Sequence, residues 1–143
     1  MGYDAGKRTK GRKRHLLTDT LGLPLRVVVH SAGIQDRDGA ALVLEGLRAR
    51  CPNLELVWAD AGYLARQVDA AIAAVPGLRI EIVKRSQPKG WELLPRRWGI
   101  ERTFAWFGRN RRLAKVYEGI VEAALAFIHL ATIQLLIRRL AQT

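Results

Sequence analysis

The sequence predicts an α/β domain, a mixed sheet with helices packed on it. Three observations predict this. Two β-favouring stretches flank a Gly/Pro turn near the N-terminus. Two later alternating segments are separated by a run with helical apolar spacing. The last third of the chain reads as helix. The predicted order is β-β-α-β-α-β-α-α, a hairpin leading into alternating units, and that pattern gives an α/β fold.

The elements follow in chain order. The opening stretch "MGYDAGKRTKGRKR" is polar and broken by Gly2, Gly6 and Gly11, so residues 1–12 read as a flexible basic lead-in. The segments "RHLLTDT" and "LRVVVHSA" flank "LGLP", where Gly22 and Pro24 signal a turn, and Val27, Val28 and Val29 favour strand. A hairpin of Arg14–Thr20 and Leu25–Ser31 results. In "DRDGAALVLEGLRARC", Asp36 or Asp38 can cap a helix whose apolar face holds Leu42, Leu44 and Leu47, and Pro52 stops it. "LELVWAD" alternates and reads as a strand ending in a carboxylate. "GYLARQVDAAIAAV" has helical spacing and ends at Pro76–Gly77. "RIEIVKR" is another strand. A helix runs from Pro95 to about Arg112, and a last one from about Val116 to Leu140. The hairpin has no third strand partner within the chain, which suggests a central strand upstream.

The final helix contains an apolar run, Ala123–Ile137. A membrane span needs about 20 apolar residues. His129, Thr132 and Gln134 interrupt this run and Arg138 and Arg139 end it, so a packing helix is the better reading and no membrane partner is expected.

Charge narrows the partner. The 143-residue chain carries a formal net charge of +11 with a pI near 10.8, which points to a polyanion. One cluster is Lys7, Arg8, Lys10, Arg12, Lys13 and Arg14. A second is Arg96, Arg97, Arg102, Arg109, Arg111, Arg112 and Lys115. Together they hold over half of the 24 lysines and arginines. The single Cys51 excludes an internal disulfide and a cysteine-based zinc site and suits a reducing cytoplasm. His15, His30 and His129 lack metal-ligand spacing and read as packing or surface residues. Asp69 reads as a solvated helix residue.

Two carboxylates stand out. Asp60 ends a strand, where α/β sheets gather ligand sites. Glu101 is an acid among basic residues in "RRWGIERTFAWFGRNRR". Singly, each is explained by a turn or a surface ion pair. Together, in a basic α/β chain, they suggest two-metal phosphoryl transfer, in which carboxylates hold ions about 4 Å apart and basic residues hold DNA phosphates. Arg97 and Glu101 share a helix face. Phe104, Phe107, Trp98 and Ile100 read as core. Trp106 reads as core too, with base stacking the alternative.

The segments "GYDAGKRTKGRKRHLLTDTLGLPLRVVVHSAGIQDRDGA", "VWADAGY" and "RRWGIERTFAWFGRNRRLAKVYE" resemble the catalytic domain of bacterial insertion-sequence transposases, of the family numbered five in the four-like group. The resemblance implies a ribonuclease-H-like fold and an Asp-Asp-Glu triad holding two Mg²⁺ or Mn²⁺ ions. It makes Asp60 the second Asp and Glu101 the Glu. The group's signature is a Tyr, an Arg three later, a Glu four after that and a Lys seven further on. Arg97 and Glu101 match its middle, whereas Leu94 and Gly108 stand at the Tyr and Lys positions, with Arg109 or Arg112 as stand-ins for the Lys. The family's first Asp lies upstream of "GYDAGK", and neither Asp4 nor Asp19 matches it. The chain is therefore expected to be a single catalytic domain, 1–143, that lacks its first strand.

The implied function is metal-dependent cleavage and strand transfer at insertion-sequence ends, in the cytoplasm at the nucleoid. Implied partners are transposon-end and target DNA, a second copy for the second end, or an upstream transposase fragment. Candidate DNA-contacting residues are Lys7, Lys10, Arg12, Lys13, Arg14, Arg97, Arg109, Arg111, Arg112 and Lys115. The alternative is a non-catalytic DNA-binding remnant. An unrelated RNA-binding protein is disfavoured, because no RNA-recognition motif is visible.

Overall fold

The computed structural model describes residues 2–4, 8–83, 98–114 and 119–142. Strand β1 is Gly2–Asp4, β2 is Thr9–Thr18 and β3 is Pro24–Ser31. They form an antiparallel sheet in the order β1-β2-β3. The parallel strands β4 (Leu56–Asp60) and β5 (Arg79–Val83) pair separately. Helices α1 (Asp36–Leu44), α2 (Leu47–Arg50) and α3 (Arg66–Ala73) lie between β3 and β5 in sequence. Helices α4 (Trp98–Arg109), α5 (Arg111–Ala114) and α6 (Val121–Leu140) follow. This is the expected α/β arrangement, consistent with a ribonuclease-H-like domain, but the antiparallel and parallel strands form two small sheets rather than one mixed sheet.

Several boundaries differ for identifiable reasons. Part of the expected lead-in is paired strand: Tyr3 faces Lys10 and Gly2 faces Gly11, so the hairpin has a third strand partner within the chain, contrary to the expectation from sequence. Neither Asp36 nor Asp38 caps α1. Its N-cap is Gln35, with no side-chain cap bond, and both acids sit in the first turn, where the helix dipole favours them. Gly46, at φ 64°, ends α1 in the left-handed conformation. A short 3-10 turn, Ala61–Tyr63, precedes α3, because the Asp60 carboxylate accepts the Gly62 N–H at 3.0 Å and tightens the chain. The expected helix through Arg112 breaks at Asn110, whose Oδ1 accepts from the Arg112 N–H at 3.2 Å.

The β2–β3 hairpin sits between two cores, because successive strand side chains point to opposite faces. On one face, Leu17 joins Ala40, Val43, Leu44, Leu47, Val68, Ile72 and Leu78, with Val57 and Ile80 packed alongside. On the other, Val29 joins Phe107, Leu113, Ala124 and Ile128, flanked by Leu16 and Val27. Ile128 has no exposed surface. By length and composition α6 could cross a membrane, yet Ala124 and Ile128 are embedded in this second core.

The turn between β2 and β3 is a seat for α4. Asp19 Oδ1 accepts from the N–H groups of Leu21 (2.9 Å) and Leu23 (2.8 Å). Gly22 adopts φ 79°, and a Cβ there would stand 2.6 Å from the Gly99 carbonyl oxygen. Only glycine tolerates both conditions. Thr103, fully buried, donates from Oγ1 to the Gly22 carbonyl, and the Arg102 guanidinium donates to the Leu21 carbonyl. Glu101 is therefore carried on a helix pinned at its neighbours.

Candidate active site and nucleic-acid interface

Asp60 closes β4 and is half-buried. Asp36, from the first turn of α1, approaches the same place. A Cβ on Gly62 would lie 3.1 Å from Asp60 Oδ1 and 3.8 Å from Asp36 Oδ2. The glycine thus leaves space that two carboxylates border. Lys13 Nζ pairs with Asp36 Oδ1 at 3.2 Å. Asp36, read from sequence as a helix cap, is thereby a neighbour of the strand-end acid. No local pattern could reveal this, since the contact is set by how α1 packs against the turn after β4.

Tyr63 and His15 extend the cluster inward. The Tyr63 hydroxyl and His15 Nδ1 are hydrogen-bonded at 2.7 Å. The His15 ring stacks on His30 at 4.5 Å between centroids. Burial, then the negative charges of Asp36 and Asp60, push the Tyr63 phenol up to about 12, so it keeps its proton. Burial, then repulsion from His30, depress the His15 imidazole to about 4, although Asp36 pulls the other way. His15 is therefore neutral near pH 7. His15 and His30 are packing residues, as expected, and His129 is exposed.

Carboxylate oxygens are the donors a divalent cation such as Mg²⁺ prefers, so Asp60 and Asp36 fit such an ion in kind. Among the described residues, no group of three or more His, Cys, Asp or Glu converges as a metal site. Glu101 is exposed in the first turn of α4, beside the β2–β3 turn.

The cations divide by strand parity and position. Arg12 and Arg14 point to the α5–α6 side. Arg12 donates to the carbonyls of Ile120 (2.7 Å) and Gly119 (2.5 Å), and Arg14 to that of Leu113 at 2.9 Å. Lys13 points the other way, to Asp36. These three bind the protein's own backbone and carboxylate. Lys10, Arg109 and Arg111 are exposed, as is Arg112, which also lies over Phe127 at 5.0 Å. Lys7, Arg97 and Lys115, with Leu94, lie outside the described residues. Trp106 is half-buried between the guanidiniums of Arg102 and Arg139, each 4.7 Å from its ring. Phe107 is core, whereas Phe104 is 40% exposed.

The class these features define is a strongly cationic α/β domain with acidic side chains gathered at a strand end. Comparison with known sequences fixes the family. A profile of the transposase DDE domain matches residues 1–136, so the chain belongs to that family. It is 32% identical over 127 residues, or 84% of its length, to a Burkholderia cepacia protein named as transposase for insertion sequence element IS402. It spans 60% of that relative. It is also 32% identical over 131 residues, 88% of its length, to a Brucella ovis protein named as transposase for IS6501, and covers 98% of it. No solved structure gives a significant match.

Proposed function

We propose that the chain is the catalytic part of an insertion-sequence transposase, cutting and joining DNA at element ends. The observation that carries this reading is the position of Asp60: at the carboxyl end of β4, with Asp36 beside it, in a chain matched over residues 1–136 by the DDE profile. Asp60 and Glu101 would hold the divalent metal. Such an ion lowers the pKa of a bound water or hydroxyl and offsets charge on the phosphate. Asp60 holds its own turn in place, because its Oδ1 accepts the Gly62 N–H. Lys10, Arg109, Arg111 and Arg112 supply cationic contacts to the DNA backbone.

On this reading Asp60 and Glu101 are two of the family's three acids, and the source of the first Asp is left to the experiment below. Among the described residues, the edge of β2 that faces away from β3, beyond the three residues paired with β1, and the edge of β4 that faces away from β5 have no strand partner. These edges leave room for a further strand to pair. The alternative, a non-catalytic protein that occupies element ends, is supported by the exposed α4–α5 cations, which need no carboxylate to bind DNA.

The test is Mg²⁺-dependent nicking and strand transfer on DNA carrying the element's ends. It compares this chain, a form extended upstream in its natural frame, and Asp60→Ala versions of both. Activity only in the extended form, lost with Asp60→Ala, supports the reading with an upstream Asp. Activity of the unextended chain would sink the claim that the first Asp is required from elsewhere. Binding without nicking in either form would favour the non-catalytic alternative.

A further inference from the structure

Helix α6 carries apolar side chains on two opposite faces. Ala124 and Ile128 are buried in the core. At about 100° per residue, the outward side chains of Leu130, Ile133, Leu136, Ile137 and Leu140 share an arc of about 120° roughly opposite them. These five are 61%, 51%, 37%, 59% and 74% exposed. An outer helix face is ordinarily polar, and contiguous exposed apolar surface marks an interaction site.

The spacing and the charge name the occupant. Ala123, Ala126, Leu130, Ile133, Ile137 and Leu140 alternate by three and four residues, the repeat that seats knobs into holes between two helices. Ile128 and Leu135 then fall opposite the seam, facing the body of the protein. From residue 129 onward the positions flanking the seam are His129, Gln134, Leu136 and Ala141, none formally charged at pH 7. In a chain of net charge +11, a neutral strip is where two copies approach with least repulsion. Arg139 is turned back over Trp106 of its own chain. The helix is already formed within the domain, so pairing does not bear the nucleation cost that makes short isolated coiled coils weak. A membrane surface fits less well, because interfacial helices usually border their apolar face with Lys and Arg.

We infer that α6 is a self-association seam, through which two copies of this chain pair by a two-fold, self-complementary contact. The inference does not depend on the catalytic reading, since the seam contains no residue of the candidate site.

The test is light scattering of the full chain across a wide concentration range. The expected mass is twice the 16.0 kDa of one chain. Ile133→Glu with Ile137→Glu should give monomer with unchanged helical circular dichroism, while Ala41→Glu, an exposed site on α1, should stay dimeric. Single cysteines at Leu130 and Leu140, in a Cys51→Ser background, should crosslink between copies when oxidised alone or mixed. A monomeric wild type, a dimer that survives the double substitution, or failure of both cysteines to crosslink overturns the inference. So does a monomer that instead floats with phosphatidylserine vesicles.

Discussion

The His15 imidazole is sandwiched between the His30 ring, stacked at 4.5 Å, and Gly39 of α1, where a Cβ would stand 2.4 Å from His15 Nε2. Among the described residues, neither His15 Nε2 nor His30 Nε2 has a hydrogen-bond partner, and both rings are buried. Replacing Gly39 by Ala is a direct measure of that fit. In most helices this change stabilises by about 1 kcal/mol. Here the methyl must displace a buried ring held by Tyr63, and overpacking costs about 1–3 kcal/mol. Net destabilisation of about 1 kcal/mol or more is expected from urea denaturation, and a stabilised variant would show that the ring yields freely.

The same imidazole makes stability depend on pH. Unfolded, it takes a proton near 6.5; folded, not until about 4. Between those values the unfolded chain binds more protons, so stability falls as pH drops from about 6.5 towards 4. A shift of this size corresponds to a loss of up to about 3 kcal/mol. The groups facing the ring are His30, Tyr63, Lys13 and Asp36. Comparing His15→Gln with wild type by urea denaturation at pH 7 and pH 4.5 checks it, and an unchanged slope in the variant would contradict the assignment.

The cations should separate into two groups in DNA binding. Arg111→Ala with Arg112→Ala should lower the slope of log affinity against log salt by about 2, close to one per phosphate contact. Arg14→Ala should leave that slope nearly unchanged and instead cost about 1 kcal/mol of stability through its lost bond to the Leu113 carbonyl. Fluorescence anisotropy at several salt concentrations, beside urea denaturation, distinguishes the two effects.

Gly22→Ala should destabilise by about 1–3 kcal/mol. Its φ of 79° is strained for alanine, and the methyl meets the Gly99 carbonyl oxygen at 2.6 Å. Because the clash unseats α4, Trp fluorescence, to which Trp106 contributes, should change along with the melting midpoint.

Much of the element order was legible because periodicity reports local structure. The β-branched run Val27–Val29, the alternation of "RIEIV" and the stop at Pro76–Gly77 each correspond to an observed element or end. Where Asp60 sits, at a strand end, was legible for the same reason. What escaped were contacts between distant segments. The basic run at 12–14 looked uniform, but strand parity sends Arg12 and Arg14 to one side and Lys13 to the other, and each meets a partner from elsewhere in the chain. Asp36 looked like a cap because capping is a local inference. Its place beside Asp60 and Gly62 follows from α1 packing, which no short window contains.

The turn at Asp19–Leu23 has a consequence for the order of assembly. Gly22 and Thr103, joined by a buried hydrogen bond, are 81 residues apart. On a ribosome, the hairpin emerges long before the helix that carries Glu101, so the cradle can exist before its occupant is synthesised. The candidate acid would then reach its place by docking onto finished structure, and a faulty turn would be inherited by everything translated after it.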